Sequence, residues 1–346
     1  MKKSVAFVVI LVLASVFLSG ASILPAAAAE DRQISTMGRE VDIALVPFMT
    51  GIPYFDEAAK GLFKAGETLG IRVGYFGPSS NDTPGQIALI DDLITQGVKG
   101  IVVTAMDSSA VVPVLQKAMG AGIKVVTFDL DTDPAGSHMY AGLKELDDMG
   151  PWMIDLMYES YKDALGDDFE YAIITSSLTS ELMIRRVESM IEYQKGKYPN
   201  LKNIGYEAGD SDSQKTYNAA VTLMTANPNM KVIMSNASDA LGPICEAIAA
   251  EGRIGQVYGA GQTTPNLGKP GYESGAILGG AMLWDPAKWA EFGVTLCNEL
   301  IKGTEFKMGG DWVIPGFPDV EMIADDVIVY SGLQEFTKEN IYDFDF

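Results

Sequence analysis

Histidine and cysteine are nearly absent from this sequence of 346 residues, which has one histidine and two cysteines. The single histidine, His138, leaves little scope for a Ser-His-Asp or Cys-His catalytic arrangement, because each requires a histidine beside the nucleophile. Cys245 and Cys297 both fall within apolar helical patterns. An exported chain could join them in a disulfide. We expect buried free thiols instead, because free cysteine packs as a small hydrophobic residue.

Basic residues are also scarce, since 25 Lys and Arg stand against 46 Asp and Glu and give a formal net charge of −21. This excess of negative charge repels nucleic acid and anionic membrane surfaces, so we expect no nucleic-acid partner. The acids are spread along the chain, which is typical of a soluble protein. Because 47% of the residues are hydrophobic, the chain can form one large core or two ordinary ones.

The hydrophobic run at the N-terminus is too short to span a membrane. Lys2 and Lys3 precede the apolar run Val5–Leu18, and Ala26–Ala29 form a small-residue cleavage site before Glu30. This order is typical of a secretory signal peptide, whereas a spanning helix needs about 20 apolar residues. We predict that residues 1–29 are removed on export to the periplasm. A lipid anchor would need a cysteine at the cleavage site, and there is none there. We therefore expect no lipid anchor.

Strand and helix patterns alternate along the rest of the chain. Buried β-branched runs such as Lys124–Asp129 alternate with apolar residues at helical spacing, which indicates a parallel sheet covered by helices. The alternation restarts after a Pro/Gly-rich break near residues 133–137, and Pro286 and the Gly316–Pro318 bend are further candidate crossings. We therefore predict two α/β lobes, formed by residues 30–133 plus about 284–316 and by residues 134–283 plus about 317–346.

Motifs for nucleotide, nucleophilic or metal chemistry are missing or incomplete. Neither a Walker A sequence nor a G-x-S-x-G elbow occurs. Asp129, Asp131 and Asp133 resemble the start of a Ca²⁺ loop, but Pro134 occupies the glycine position and Tyr140 the position of the bidentate glutamate. We expect no metal, no cofactor and no enzymatic activity. Asp131 and Asp133 are then solvated loop residues, whereas Asp129 directly ends a strand.

Polar and aromatic side chains stand at the predicted strand ends, where parallel sheets bind ligands. They are Phe48, Tyr54, Phe55, Asp129, Asn236, Gln262 and Trp284. Each has a structural alternative, because an aromatic at a helix start is commonly core and a strand-end Asn commonly forms a turn. Together they suit a carbohydrate, which offers apolar C–H faces to aromatic rings and hydroxyls to carboxylates and amides.

The chain also resembles the sugar-type periplasmic solute-binding proteins of ABC importers, over nearly everything after the signal peptide. The motifs that carry the resemblance are Gly51-Ile52-Pro53-Tyr54-Phe55, Gly85-Gln86, Val126-Thr127-Phe128-Asp129, Asn236-Ala237-Ser238-Asp239-Ala240-Leu241-Gly242, Thr264-Pro265-Asn266 and Phe336-Thr337-Lys338-Glu339-Asn340-Ile341. The continuation Asp131-Thr132-Asp133-Pro134 and the ending are most similar to autoinducer-2 receptors and rhamnose-binding proteins. The resemblance implies two Rossmann-like lobes joined by a three-segment hinge, the type I fold of periplasmic binding proteins.

Several binding residues are implied by this resemblance. Asp129 matches the carboxylate that holds ligand hydroxyls, Asn236 matches a strand-end contact, and Tyr54 with Phe55 matches a stacking pair. Gln262 falls where relatives often have an aspartate, and Trp284 falls at a polar or aromatic contact. Asp131 is a further candidate contact.

The chain departs from these relatives at other positions. Phe48 replaces a lysine of autoinducer-2 receptors, and Leu182-Met183 replaces their Asp-Gln pair. Leu130 and Met183 stand where ribose-binding relatives have arginines, although a small alignment shift would bring in Arg185, otherwise an exposed helical charge. We therefore predict that Phe48 and Met183 line a rather apolar pocket around Asp129. Such a pocket favours a ligand with few hydroxyls, a deoxy-sugar or small polyol.

The resemblance implies a monomeric, non-enzymatic receptor that closes around a small neutral carbohydrate (a deoxy-sugar, pentose or polyol) and docks on a membrane permease. Three alternatives stay open at this point. They are an autoinducer-2-like or chemosensory receptor, the effector lobe of a sugar-responsive repressor, and an enzyme. The signal peptide and the lack of a helix-turn-helix region argue against the repressor, and the lack of catalytic groups argues against the enzyme.

Overall fold

Two sheets of mostly parallel strands organise the protein. The computed structural model describes residues 40–144 and 149–346. The predicted signal peptide and the start of the predicted helix Leu146–Leu165 therefore lie outside the described residues. The predicted α/β fold with two lobes is confirmed. Among the described residues, no helix is both long enough and apolar enough to cross a bilayer.

The first sheet has seven strands, and its order is β11-β12-β5-β4-β3-β1-β2. These strands are β1 (Ile43–Val46), β2 (Val73–Tyr75), β3 (Gly100–Val103), β4 (Lys124–Phe128), β5 (Met139–Leu143), β11 (Glu321–Ala324) and β12 (Val327–Tyr330). Neighbours run parallel except the β11–β12 pair. The strands β1 and β3 are buried at every residue, as a parallel sheet covered on both faces requires.

The second sheet has six strands in the order β13-β10-β9-β8-β6-β7, and only β13 runs antiparallel to its neighbour. These strands are β6 (Glu170–Thr175), β7 (Lys202–Ala208), β8 (Met230–Asn236), β9 (Tyr258–Gln262), β10 (Ala281–Trp284) and β13 (Leu333–Phe336). Below, the first lobe means the seven-stranded sheet with its helices, and the second lobe means the six-stranded sheet with its helices.

Nine helices cover the two sheets in the described part of the chain. The first lobe has α1 (Pro53–Leu69), α2 (Thr83–Gln96), α3 (Val112–Gly120) and α9 (Pro286–Lys302). The second lobe has α4 (Met149–Leu165), α5 (Glu181–Lys197), α6 (Ser213–Ala226), α7 (Leu241–Ala250) and α8 (Pro265–Ser274). The apolar pattern of residues 276–282 predicts a strand, which the structure places at Ala281–Trp284. The sequence pattern does not predict α8, β5, β11 or β13.

The helices α1 and α9 pack closely against each other on the first sheet. Gly61 makes this approach possible, because a Cβ at this position would lie 1.8 Å from the Ala287 carbonyl oxygen. The start of α1 is thereby held against the sheet at the edge where the strands end. Pro53 occupies the first turn of α1, where proline's lack of an N–H costs no hydrogen bond.

The predicted boundaries between the lobes are wrong at two places. Residues 134–136 form a short 3₁₀ turn, and the chain then pairs β5 with β4 in the first sheet. The strand β12 also joins the first sheet, beside β5. The chain thus crosses between the lobes after Leu143, after Trp284 and after Tyr330. A Pro/Gly-rich break marks a turn. It does not determine which sheet the next strand joins, because that depends on the strand with which it pairs.

The two cysteines are buried and free, as predicted. Cys297 lies in α9, with its Sγ 3.7 Å from the Lys124 carbonyl oxygen in the first lobe. Cys245 lies in α7 of the second lobe. Burial raises the pKa of both thiols to about 12, so neither is a reactive thiolate at neutral pH.

Candidate functional site

A cavity lies between the two lobes, at the carboxyl ends of the parallel strands. Its empty space is about 430 Å³ including its opening to solvent. The first lobe contributes Phe48, Ile52, Tyr54, Phe55, Met106, Asp129 and Leu130. The second lobe contributes Ser176, Met183, Arg186, Ser211, Ala237, Ser238, Asp239, Gln262 and Trp284. This is the position at which open α/β sheets bind ligands.

An aromatic wall of Phe48, Tyr54 and Phe55 forms the first-lobe side of the cavity, and Trp284 of the second lobe packs against it. The ring of Phe55 makes edge-to-face contacts with the rings of Phe48 and Tyr54, each at 5.0 Å between centroids. The Trp284 Nε1–H donates a hydrogen bond of 2.7 Å to the Tyr54 hydroxyl oxygen. All four side chains are at most 6% exposed. The wall is therefore held by packing that exists without a ligand.

Asp129 follows β4 directly and has a left-handed backbone, with φ of +60°. Its backbone is held by two contacts, a 3.1 Å bond from Leu130 N to Thr104 Oγ1 and a 2.9 Å bond from the Tyr140 hydroxyl to the Asp129 carbonyl oxygen. Left-handed geometry is costly for most residues and is tolerated by aspartate. It turns the chain at the strand end, where the Asp129 side chain lines the cavity.

Burial raises the pKa of the Asp129 carboxyl to about 7. The charge of Arg186 and hydrogen bonds with Tyr54 and Thr104 oppose this rise. Burial also raises the pKa of the Tyr54 phenol well above its ordinary value, with the Asp129 charge adding to the effect. Tyr54 is therefore a neutral hydroxyl that can donate a hydrogen bond beside the carboxylate.

Arg186 is the largest departure from the predicted site. Its side chain comes from α5 in the second lobe, is only 5% exposed, and lines the cavity. Its Nε and Nη1 atoms have no hydrogen-bond partner among the described residues. Burial lowers the pKa of the guanidinium, and the Asp129 charge across the cavity opposes that shift. A buried guanidinium with unsatisfied donors is costly unless a further acceptor is bound.

Arg185, which a small alignment shift would bring into the site, is instead the exposed helical charge of the alternative interpretation, and its neighbour Arg186 lines the cavity. Arg185 is an exposed side chain, 3.7 Å from Glu181 on the same helix. Arg186 lies three residues after Met183 and four before Met190, and both methionines are buried. Residues three and four apart share one face of a helix. The helical spacing of the buried methionines was therefore a signal that could have identified Arg186.

Three of the four predicted second-lobe residues line the cavity, and the fourth lies behind it. Gln262, Met183 and Trp284 line the cavity. Asn236 is buried behind it, with its Nδ2 donating 3.2 Å bonds to Thr175 Oγ1 and to the Met183 carbonyl oxygen. Asn236 therefore joins the end of β8 to the helix that carries Arg186, and it is not among the residues that line the cavity.

Asp131 also lies outside the cavity. Its carboxylate accepts hydrogen bonds from Thr127 Oγ1 and from the backbone N–H of Thr132, the latter at 2.8 Å. It lines an adjoining groove between the lobes that shares only Met106 and Leu130 with the cavity. The partly buried Asp131 thus stabilises its own loop, while Asp133 is exposed as expected.

Asp239 and three serines were not predicted as site residues. Ser176 follows β6, Ser211 follows β7, and Ser238 and Asp239 follow β8, so each stands at the end of a second-lobe strand. Their positions were available from the strand pattern, but serine and aspartate are also the ordinary residues of turns. Sequence pattern alone did not separate these two roles.

The described residues contain no group of three or more His, Cys, Asp and Glu that could hold a metal ion. His138 stands apart from the cavity, where its Nδ1 accepts a 3.1 Å hydrogen bond from the Val125 N–H. The charged groups of the cavity are thus Asp129, Arg186 and Asp239. The two carboxylates can accept hydrogen bonds from hydroxyls, and the guanidinium can donate hydrogen bonds to oxygen acceptors.

Known proteins match most of the chain. The family model described as "Periplasmic binding protein domain" matches residues 43–305. The D-ribose/D-allose-binding protein of Pseudomonas aeruginosa is 29% identical over 228 residues, or 64% of this chain and 69% of that protein.

Solved structures match as well. LsrB from Clostridium saccharobutylicum in complex with AI-2 superposes with a TM-score of 0.82 at 26% identity, covering 88% of this chain and 99% of LsrB. An ABC transporter solute-binding protein from Clostridium phytofermentas with bound L-rhamnose has a TM-score of 0.79 at 21% identity, covering 88% and 98% of the two chains. These matches confirm the resemblance that the sequence motifs predicted.

Proposed function

This chain belongs to the periplasmic binding protein family, and from that premise we propose that it is the receptor of an ABC importer. In this role it is exported to the periplasm as a monomer and binds a small neutral carbohydrate between its lobes. It then delivers the sugar unchanged to permease subunits in the membrane. The known ligands of its relatives, D-ribose and D-allose, support this class of ligand.

The opposition of Asp129 and Arg186 across the cavity carries the proposal. The two side chains come from different lobes and line the same space. A sugar hydroxyl can donate to the carboxylate, while another oxygen of the same sugar accepts from the unsatisfied Arg186 nitrogens. Such charge-assisted hydrogen bonds are about twice as strong as neutral ones. A polyhydroxylated ligand therefore satisfies groups that the protein alone leaves unpaired.

The aromatic wall suits the apolar faces of the same ligand. Sugar rings present C–H groups, which pack favourably on aromatic side chains. Tyr54 additionally offers its hydroxyl near Asp129, so one residue provides both an apolar surface and a polar contact. The wall and the charged groups then contact different parts of one small molecule.

Closure of the two lobes follows from this division of contacts. A ligand that touches both lobes stabilises the closed arrangement over the open one by its difference in affinity for the two. The three crossings after Leu143, Trp284 and Tyr330 are the segments about which the lobes would rotate. The permease would then distinguish the closed, loaded receptor from the open one.

The preference for a deoxy-sugar loses its original reason. That preference assumed that no arginine reaches the pocket, whereas Arg186 lines it. With Arg186, Asp239 and three serines present, pentoses and hexoses with a full set of hydroxyls are equally suitable. Deoxy-sugars and polyols stay within the proposed class.

Titration calorimetry tests the proposal with D-ribose, D-allose, L-rhamnose, D-glucose and ribitol as ligands. We expect at least one of them to bind, and Asp129→Asn and Arg186→Gln each to weaken that binding roughly 10- to 100-fold, because each removes a charge-assisted bond. Arg185→Gln is the matched control, since it removes the neighbouring exposed arginine and should change affinity less than about twofold.

Two outcomes would contradict the proposal. One is that none of the five compounds binds, and the other is that Arg186→Gln and Arg185→Gln bind alike. Recovery of the bound sugar without chemical change, by mass spectrometry after prolonged incubation, tests the non-enzymatic role.

An autoinducer-2 receptor is the second candidate, favoured by the 26% identity with LsrB in complex with AI-2. AI-2 is therefore included as a sixth ligand in the same titrations. Tight AI-2 binding without measurable sugar binding would favour this candidate over the sugar receptor.

A further inference from the structure

A second carboxylate of the cavity, Asp239, lies in the second lobe. It lies in the turn between β8 and α7 and lines the same cavity as Asp129. Burial raises the pKa of the Asp239 carboxyl, and hydrogen bonds with its own backbone N–H and with the Ser211 side chain oppose this rise. The helix α7 begins after Ala240 without a side-chain cap, so Asp239 does not act as that cap.

The segment that contacts Asp239 is strained. In the described part of the chain, the non-glycine residues with positive φ are Asp129, Asp210 and Ser211. Asp129 and Ser211 line the cavity, and Asp210 directly precedes Ser211. Strain of this kind persists where the surrounding structure requires one geometry, and it is common at binding sites. The strained backbone is that of Asp129 itself in the first lobe and that of Ser211, a contact of Asp239, in the second lobe.

We infer that Asp239 is a second ligand-binding carboxylate, and that the site therefore selects an uncharged polyhydroxylated ligand over its acidic and phosphorylated counterparts. The inference rests on the proposed function that the cavity holds a small carbohydrate. Hydroxyls of such a ligand donate to Asp129 from one lobe and to Asp239 from the other, while Arg186 donates to a ligand oxygen.

The charges of the cavity exclude an anionic ligand. With Asp129 and Asp239 both ionised, the lining side chains carry two negative charges and one positive charge. A carboxylate or phosphate on the ligand would approach two like charges in a partly desolvated space, where repulsion is stronger than in water. The net charge of the whole chain, −21, acts in the same direction at longer range.

Paired titrations test this inference. For the wild type, we expect D-ribose to bind at least tenfold more tightly than D-ribonate or D-ribose 5-phosphate. Asp239→Asn should weaken D-ribose binding about tenfold, because an amide accepts a weaker hydrogen bond than a carboxylate, and should reduce the discrimination against both anions. Asp91→Asn is the matched control, because this residue pairs with Lys117 on the first lobe outside the cavity, and we expect wild-type affinities. L-rhamnose with L-rhamnonate serves as a second pair.

The result that would overturn the inference differs from failure of the proposed function. Equal binding of a sugar and its acid by the wild type would overturn it, and so would unchanged sugar affinity in Asp239→Asn. Either result leaves the effects of Asp129→Asn and Arg186→Gln on sugar binding intact. The wild-type comparison needs no variant, and Asp239→Ser replaces Asp239→Asn if the latter does not fold.

Discussion

The two lobes shape opposite sides of one cavity in different ways. The first lobe offers an aromatic wall and the single charge of Asp129, while the second offers Arg186, Asp239 and three serines. The wall packs on itself within the first lobe, as the edge-to-face contacts of Phe55 with Phe48 and Tyr54 show. Arg186 in the second lobe keeps two nitrogens without partners among the described residues.

This difference indicates that the two lobes have different roles in ligand binding. A surface that is complete by itself can receive a ligand while the lobes are apart. Buried donors that lack acceptors gain most when a ligand supplies the missing oxygen atoms, so they favour the closed state only when it is loaded. We infer that the first lobe receives the ligand and that the second lobe makes closure depend on it.

The pH dependence of stability tests the first-lobe charge and has the largest expected effect. The pKa of Asp129 is about 7 in the folded protein against an ordinary value of 3.8, so between these values the folded state binds a proton that the unfolded state does not. Stability of the unliganded protein should therefore fall as pH rises from about 4 to about 7, by up to about 1.4 kcal/mol per pH unit.

Urea unfolding of the wild type and of Asp129→Asn across this pH range isolates the contribution of Asp129. Identical pH profiles would contradict the prediction. Affinity for a hydroxyl-donating sugar should change in the opposite direction and rise towards pH 7, because the sugar prefers the ionised carboxylate.

Gly61→Ala tests whether the first-lobe surface depends on the packing of α1 on α9. The new Cβ would meet the Ala287 carbonyl oxygen at 1.8 Å, and overpacking of this kind costs about 1–3 kcal/mol of stability. Gly120→Ala, where nothing lies within 4 Å of the new Cβ, is the matched control and should change stability by less than about 0.5 kcal/mol. Similar thermal unfolding of the two variants would show that α1 does not need the close approach.

Trp284→Phe has the smallest expected effect and tests the preformed wall. It removes the donor to the Tyr54 hydroxyl, which we expect to cost about 1 kcal/mol of stability and to weaken sugar binding severalfold. Trp312→Phe removes a comparable hydrogen bond, from Nε1 to the Lys307 carbonyl oxygen, at a half-buried position away from the cavity. If both variants bind sugar like the wild type, the wall does not need this bond.

Much of the fold followed from local patterns. Alternating β-branched runs and amphipathic helices predicted two parallel sheets with helices on their faces, and the strand end at Asp129 predicted one wall of the cavity. The aromatic residues Phe48, Tyr54 and Phe55 followed from their positions at the end of β1 and the start of α1. These inferences succeed because hydrophobic periodicity and the polarity of parallel strands act over short stretches of chain.

Other parts of the site depended on contacts between distant segments. Whether Arg185 or Arg186 enters the cavity depends on the rotation of α5 against its sheet, and one residue changes the direction of a side chain by about 100°. Asn236 and Asp131 stand at expected positions in the chain, but the Asn236 amide nitrogen and the Asp131 carboxylate are occupied by hydrogen bonds to neighbouring residues.

The sequence by itself determined the class of the fold, the family resemblance and the carboxylate at the end of β4, because periodicity, turn residues and strand polarity are local properties. Tertiary structure decided which sheet receives β5 and β12, and which of two adjacent arginines faces Asp129. It also brought Asp239 to the cavity. The chain crosses between the lobes three times, so residues that no local pattern relates come together in space.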